Sequence, residues 1–443
     1  MLTLAEARRP CRHMKKALVF ALAVGLAQAA FGQSIPNDAA TEVFAAAKRV
    51  NARDGGKLWG VPVCGPMFLV DPETHYVVAN QADARGELKQ AGNVWVGNLP
   101  KEITPANSAT EWAGVNWTML MWPVTSDPRD RERLVGHECF HRIQSELKLP
   151  ARDGVSGHLD GKDGRIWLQL EWRALERALA TAGKQRKAAI GDALAFRGYR
   201  RMVIKNAAAS ENTLEMNEGL AEYTGFRLAS DNEADRRAAA IYALHAGPMK
   251  QSFGRSFAYV SGPAYGMLLD ASGAPWRRKL SAESDLGALL KQAYGVGTIK
   301  VSAKSAEMAG RKYEGGTLIA AETRRAAKLE SKLASLRKKF IEGHVLVLPI
   351  DAQFGYGFDP NNTTSLDENS TVYGWARITG DWGVLETGNG ALMVRENGKI
   401  ARVVVPAAEK PESANSDDWK LELKAGWKIV AAGKAGDQTL SKQ

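Results

Sequence analysis

The sequence predicts an α+β protein: a β-rich N-terminal segment packed with a mainly helical region, followed by a small C-terminal β domain. Three observations predict it. Residues 57–123 hold short runs of β-formers punctuated by Gly, Pro and Asn. Residues 128–340 become Ala-rich with helix-like apolar spacing. After Gly343 the β pattern returns. The length of 443 residues leaves room for two or three domains. A composition of 45% apolar and 24% charged residues is ordinary for a globular chain and excludes wholesale disorder.

The first element reads as an export signal. From Met14, Lys15 and Lys16 precede the apolar run Ala17–Leu26 and the small-residue end Ala27-Gln28-Ala29. That is the pattern of a secretory signal peptide over residues 1–29, cleaved after Ala29 or after Gly32. It predicts an exported protein, periplasmic or secreted. These residues carry five Lys/Arg and one Glu, so their removal takes the formal charge from +10 to +6. The remaining basic residues are scattered among acids, which argues for a solvated surface and against a nucleic-acid partner. No later apolar run is long enough for a transmembrane anchor. Cys64 and Cys139 remain in the mature chain, and either one disulfide or two buried thiols fits them.

The elements that follow can be justified in order. Leu58–Leu69, Tyr76–Asn80, Asn93–Val96 and Asn116–Trp122 are strand candidates, the last a possible sheet edge for an extended peptide or a plain core strand. Asp127-Pro128 supplies an N-cap and a first-turn proline for a helix running to about Leu149. Ile166–Ala182, Lys187–Ala208, Thr213–Leu228 and Glu233–His245 carry helical periodicity, and a shorter helix starts near Gly262. Glu322–Glu342 reads as a charged, exposed connector. Beyond it, His344–Ile350, Val372–Ile378, Ala391–Arg395 and Ile400–Val405 are strand candidates, with a hairpin signal at Asn397-Gly398. Trp419–Lys424 and Trp427–Ala431 form a second candidate pair around Ala425-Gly426.

The sharpest chemical signal is His137-Glu138-Cys139-Phe140-His141. Residues i and i+4 share a helix face, so both imidazoles can reach one metal. Glu138, rotated by about 100°, can address a water at that metal instead. Neutral nitrogen ligands beside a carboxylate suit zinc and metal-assisted hydrolysis. Catalytic zinc takes a third protein ligand. The candidates are His158, Glu171, Glu215, Glu218 and Glu222.

With Met216-Asn217-Glu218-Gly219-Leu220-Ala221-Glu222-Tyr223 added, the chain resembles the gluzincin metallopeptidases, and this stretch is similar to the Asn-Glu-Gly-Phe-Ala segment of the aminopeptidase N-like branch. The resemblance implies that Glu218 is the third zinc ligand. Glu222, four residues on, would accept the free N–H of a ligand histidine. Glu171 is the competing ligand, or else pairs with a nearby Arg. Tyr259-Val260-Ser261-Gly262-Pro263 resembles the Tyr-x-x-Gly-Ala/Pro stretch of the same enzymes, whose tyrosine donates to the oxyanion. Tyr259 takes that role, with Tyr265 its rival.

The implied organisation is a zincin-like metallopeptidase domain over 30–316, a connector helix over 317–343 and the β domain over 344–443. Zinc is the implied cofactor and a peptide or protein the implied substrate. Two departures limit the resemblance. The 76 residues between His141 and Glu218 are more than in aminopeptidase N, and the Gly-Ala-Met-Glu-Asn segment that captures a substrate amino terminus is absent. The suggested chemistry is therefore that of the clan, not aminopeptidase specificity. A zinc-binding envelope protein without peptidase activity and a zinc hydrolase of non-peptide amides are the alternatives. Asp160-Gly161-Lys162-Asp163-Gly164 reads as a plain turn, lacking the full calcium-loop pattern. Cys139 should face the protein, about 200° around the helix from His137. His245 sits favourably near a helix end, and the tryptophans read mostly as core.

Overall fold

The computed structural model describes residues 35–149, 151–152, 154–350, 354–359, 362–397, 399–410 and 412–442. The signal segment 1–29 lies outside the described residues. The chain is mixed α and β and divides after Leu147 into two compact units. No described helix is long and apolar enough to cross a membrane.

The first unit holds α1 (Asn37–Asp54), six strands and α2 (Pro128–Ile143). The strands are β1 (Met67–Val70), β2 (Tyr76–Ala79), β3 (Lys89–Ala91), β4 (Val94–Asn98), β5 (Ser108–Trp112) and β6 (Val115–Met121), in the sheet order β3-β4-β2-β1-β6-β5. β1 and β6 run parallel, with Phe68 opposite Met119, and the other pairs are antiparallel. Phe68, Val70, Val77, Leu88, Trp112, Trp117 and Met119 build the core on one face. Of the two readings of residues 116–122, a sheet edge or a plain core strand, the core strand holds. β1 and β5 flank β6, so the sheet edges are β3 and β5, and residues 117–120 are buried on both faces of β6, with Trp117 and Met119 in the core of one face. α2 packs on β5, β6 and α1. It ends at Ile143 rather than near Leu149, since the chain turns at Gln144 and reaches a left-handed Lys148.

The second unit begins helical: α3 (Lys162–Ala180), α4 (Gly183–Val203), α5 (Ala207–Leu214), a π turn (Glu215–Gly219), α6 (Leu220–Leu228), α7 (Glu233–Ala246), α8 (Ser256–Ala271), α9 (Leu286–Ala293), α10 (Ala303–Gly310) and α11 (Gly315–Arg337). α3 and α4 pack as an antiparallel hairpin around Ile166, Leu170, Ile190 and Phe196. α8 begins at Ser256, not near Gly262, and runs through Pro263. The expected helix 213–228 is interrupted by the π turn.

The charged stretch after α11 closes in a π turn, Lys338–Glu342, before a two-sheet sandwich. The strands are β7 (Val345–Pro349), β8 (Gly355–Phe358), β9 (Thr363–Ser365), β10 (Ser370–Tyr373), β11 (Ala376–Gly380), β12 (Gly383–Thr387), β13 (Ala391–Glu396), β14 (Lys399–Pro406), β15 (Trp419–Leu423), β16 (Trp427–Ala431) and β17 (Gln438–Lys442). One sheet runs β16-β17-β7-β14-β13-β10-β9 and the other β15-β12-β11-β8. Leu346, Ile378, Trp382, Leu385, Met393, Val403, Trp419 and Leu421 fill the space between them. β13 and β14 do pair around Asn397, which takes a positive φ of 53°. The second expected hairpin does not form: β15 pairs with β12, while β16 pairs with β17 in the other sheet. Trp419 and Leu421 of β15 and Ile429 of β16 all face the same core. Strands that bury side chains against each other across a sandwich lie in opposite sheets. Phe340 anchors the helix end on the sandwich with Leu336, Val372 and Leu392.

Candidate metal centre

The metal-binding signal lies on α2, and its helix start is built as the residues dictate. The Asp127 side chain accepts from the backbone N–H groups of Arg129 and Asp130, both at 2.9 Å, and Pro128 occupies the first turn. Buried Glu132 pairs with Arg49 and Arg53 and ties α2 to α1. Cys139 is bonded to Cys64 with a Cα–Cα distance of 4.9 Å. The side chain of Asn51 brackets Cys64, accepting from its N–H at 2.9 Å and donating to its carbonyl at 2.8 Å. Cys139 thus faces the protein interior, as its helix angle requires, and is a disulfide partner rather than a free buried thiol.

On the opposite face, the Nε2 atoms of His137 and His141 lie 3.2 Å apart. His137 is 5% exposed. The Glu138 carboxylate stands 4.0 Å from His137 Nε2. His137, Glu138 and His141 each offer a ligand atom, all within 4.8 Å of one another. Two nitrogens about 2.0–2.1 Å from one tetrahedral zinc stand about 3.3 Å apart, so the imidazole pair fits that ion.

Gln144, which sequence reasoning missed, is part of this arrangement. Its Oε1 lies 2.9 Å from His141 Nδ1 and it is almost fully buried. An acceptor there keeps the proton on Nδ1 and leaves the Nε2 lone pair facing the site. The signal was available: a polar residue at i+3 from a ligand histidine shares its face.

The remaining candidates lie in the second unit. Glu218 sits in the π turn, 4% exposed. Such turns within α-helices frequently mark functional positions. The Tyr259 hydroxyl donates to Glu218 Oε2 at 2.5 Å, Arg255 Nη2 donates to Oε1 at 2.9 Å, and Asn217 Nδ2 donates to Oε1 at 3.2 Å. Burial first, and then the bond to Glu218, push the Tyr259 phenol well above its ordinary range, so it remains a donor at neutral pH. Glu222 is buried, not an exposed helix acid.

Three of the five third-ligand candidates are engaged elsewhere. Glu171 is fully buried and accepts from Arg200 on Oε2 and from Tyr265 and Arg197 on Oε1. Glu215 takes both Arg197 η-nitrogens, at 2.7 and 2.5 Å. His158 Nε2 lies 3.0 Å from Glu211 Oε1. Glu211 also accepts from Arg200 twice and from Arg201. Burial alone would raise the Glu211 carboxyl. Arg200, His158 and Arg201 outweigh it and hold the carboxyl well below the usual range. For Arg200 burial acts downward, but Glu171 and Glu211 push it up. Tyr265, the rival oxyanion donor, is buried with its hydroxyl committed to Glu171.

Asp160, in the candidate turn, accepts from Ser252 Oγ and the Phe253 N–H, both at 2.6 Å, and so serves a structural connection. Most tryptophans are buried or half-buried, while Trp375 is exposed.

No known family model matches this chain, and no curated protein or solved structure matches it either.

Proposed function

We propose that this chain is an exported zinc-dependent metallopeptidase that hydrolyses peptide bonds. The observation carrying the reading is the pair of Nε2 atoms on α2, 3.2 Å apart, with Glu138 beside them. His137 and His141 would hold zinc, with Glu218 as the third ligand. Support for Glu218 comes from its motif and its burial in a π turn. Glu222 is assigned to a ligand histidine's N–H.

Zinc, when bound, polarises the scissile carbonyl and makes water acidic enough to attack at neutral pH. Glu138 takes the proton of the attacking water and returns it to the leaving amine. Gln144 keeps His141 in the ligating tautomer. The Tyr259 hydroxyl donates to the carbonyl oxygen as negative charge develops there. The Cys64–Cys139 disulfide supports the export part of the reading, since such bonds persist in oxidising compartments.

The test is Glu138→Gln. The variant should keep one zinc per chain by elemental analysis and lose hydrolysis of a broad peptide library. The wild-type turnover should stop with a chelator and return with zinc. Equal turnover in the variant, or wild-type protein that binds zinc without cleaving any peptide, overturns the reading.

A further inference from the structure

The connector α11 is anchored near its two ends. Buried Glu322 accepts from Arg165 and Gln169 of α3. Phe340, just beyond the helix, is buried against the sandwich. Between these anchors, from 323 to 339, no side chain is buried, and Leu333 and Leu336 pack partly on the sandwich. Most of this span faces solvent.

The charge here is concentrated and sorted. Residues 30–443 carry a formal charge of +6, and residues 300–342, with eleven Lys/Arg against five Glu, hold an excess of the same size. Along the chain these basic residues alternate with acids, but the helix separates them. Arg324, Lys328 and Lys332 follow at i, i+4 and i+8, within about 80° of one another around the axis. Ser331 and Ser335 fall on the same strip, and Lys338 follows at the helix end. All six are exposed. Arg324, Lys328, Lys332 and Lys338 have no ion pair or side-chain hydrogen bond among the described residues.

A solvated connector gains from Glu–Lys pairs four residues apart and loses stability to like charges at that spacing. Here three cations stand at that spacing. Glu330, the acid within this span, has Ala326, Ala327, Leu333 and Ala334 as its helical neighbours and pairs with none of them. An anionic surface lying along the strip relieves the repulsion.

We infer that α11 is an interaction surface that docks the protein on an anionic lipid surface, with Arg324, Lys328, Lys332 and Lys338 against the headgroup phosphates. The inference stands apart from the metallopeptidase reading. Arg324 to Lys332 covers about 12 Å of one helix, so a flat surface meets these cations together. Leu329, 40% exposed, lies three residues before Lys332 and so beside the strip, and Ile341, 49% exposed, lies just past its end. Apolar side chains next to cations suit the boundary between headgroups and acyl chains, whereas a hydrated polyanion offers them nothing. Attachment of this kind is peripheral, reversible and weakened by salt.

The experiment measures flotation of the purified protein with phosphatidylcholine vesicles, with and without phosphatidylglycerol, and its retention on immobilised heparin. Wild type should bind the phosphatidylglycerol vesicles at low salt, release them as salt rises, and bind phosphatidylcholine alone far less. Each cation near an anionic surface contributes about a fivefold gain, so Arg324→Gln, Lys328→Gln and Lys332→Gln combined should lose about a hundredfold. The thermal midpoint of that variant should not fall, since three repelling charges are gone. Lys328→Arg with Lys332→Arg should bind as wild type does. Leu329→Ala should weaken vesicle binding several-fold and leave heparin retention unchanged. Absence of binding to the anionic vesicles, or equal binding by the triple Gln variant, overturns the inference. Retention on heparin without vesicle binding also overturns it, in favour of a soluble polyanion.

Discussion

Gly262 of α8 meets Gly219 of the π turn backbone to backbone: a Cβ on Gly262 would stand 2.3 Å from the Gly219 carbonyl oxygen. One turn later, a Cβ on Gly266 would stand 2.1 Å from the Tyr223 ring. Glycine at both positions lets α8 lie close against the segment that carries Glu218. That approach brings the Tyr259 hydroxyl to Glu218 Oε2.

Gly262→Ala should therefore destabilise the second unit by about 1–3 kcal/mol, the usual cost of overpacking against atoms that cannot yield. The contacts are backbone, so the helices must separate. Thermal unfolding of the full chain measures the loss, and an unchanged midpoint would show that the close approach is not needed.

Tyr259→Phe removes a donor without changing ring packing. The peptidase reading predicts that kcat falls by about 10²–10³, the usual effect of losing one oxyanion donor. Zinc content should stay at the wild-type level. Matched steady-state assays and metal analysis check both halves.

Gln144→Leu removes the acceptor at His141 Nδ1. On the metallopeptidase reading, zinc affinity should fall about 10–100-fold, the usual effect of losing a residue that orients a ligand. Gln144→Glu should retain most of the affinity. Competition against a zinc chelator of known strength measures all three proteins.

Replacing Cys64 and Cys139 together by Ala opens a cross-link spanning 75 residues. The chain-entropy model gives a loss of about 4 kcal/mol, within an ordinary range of about 2–5 kcal/mol. The wild-type protein treated with reductant under mild denaturation should approach the variant's stability.

Glu211 predicts how the second unit responds to acid. Its folded carboxyl is held below the usual range, against the effect of burial, by Arg200, His158 and Arg201. A depressed carboxylate contributes its full stability above the unfolded value, about 4.3 for Glu, and loses it as pH falls further. Unfolding free energy should therefore decline below about pH 4. Glu211→Gln should cost about 3–5 kcal/mol at neutral pH by leaving buried arginine charge uncompensated. It should also flatten the acid limb followed by circular dichroism.

The sequence by itself determined what local spacing and capping can determine. Asp127-Pro128 starts the helix, and the i, i+4 rule brings His137 and His141 to one face. The helix angle of Cys139 turns it inward, and Asn397 marks a true strand reversal. These are properties of a few neighbouring residues, and neighbours in the chain remain neighbours in space.

Only the tertiary structure decided between partners far apart in sequence. Glu171, Glu215 and Glu218 look alike as acids on helices. Burial beside Arg197 and Arg200 gives the first two their ion pairs, while Glu218 pairs with Arg255 and accepts from Tyr259. Tyr259 and Tyr265 share one helix, and packing set their partners: Tyr265 donates to Glu171 and Tyr259 to Glu218. The sequence left β6 open as an edge or an interior strand, and it is interior because β1 and β5 pair on either side of it. β15 and β16 read as a hairpin, yet the shared core drew them into opposite sheets. In each case the deciding energy is burial against a remote segment, and no local pattern encodes which segment that will be.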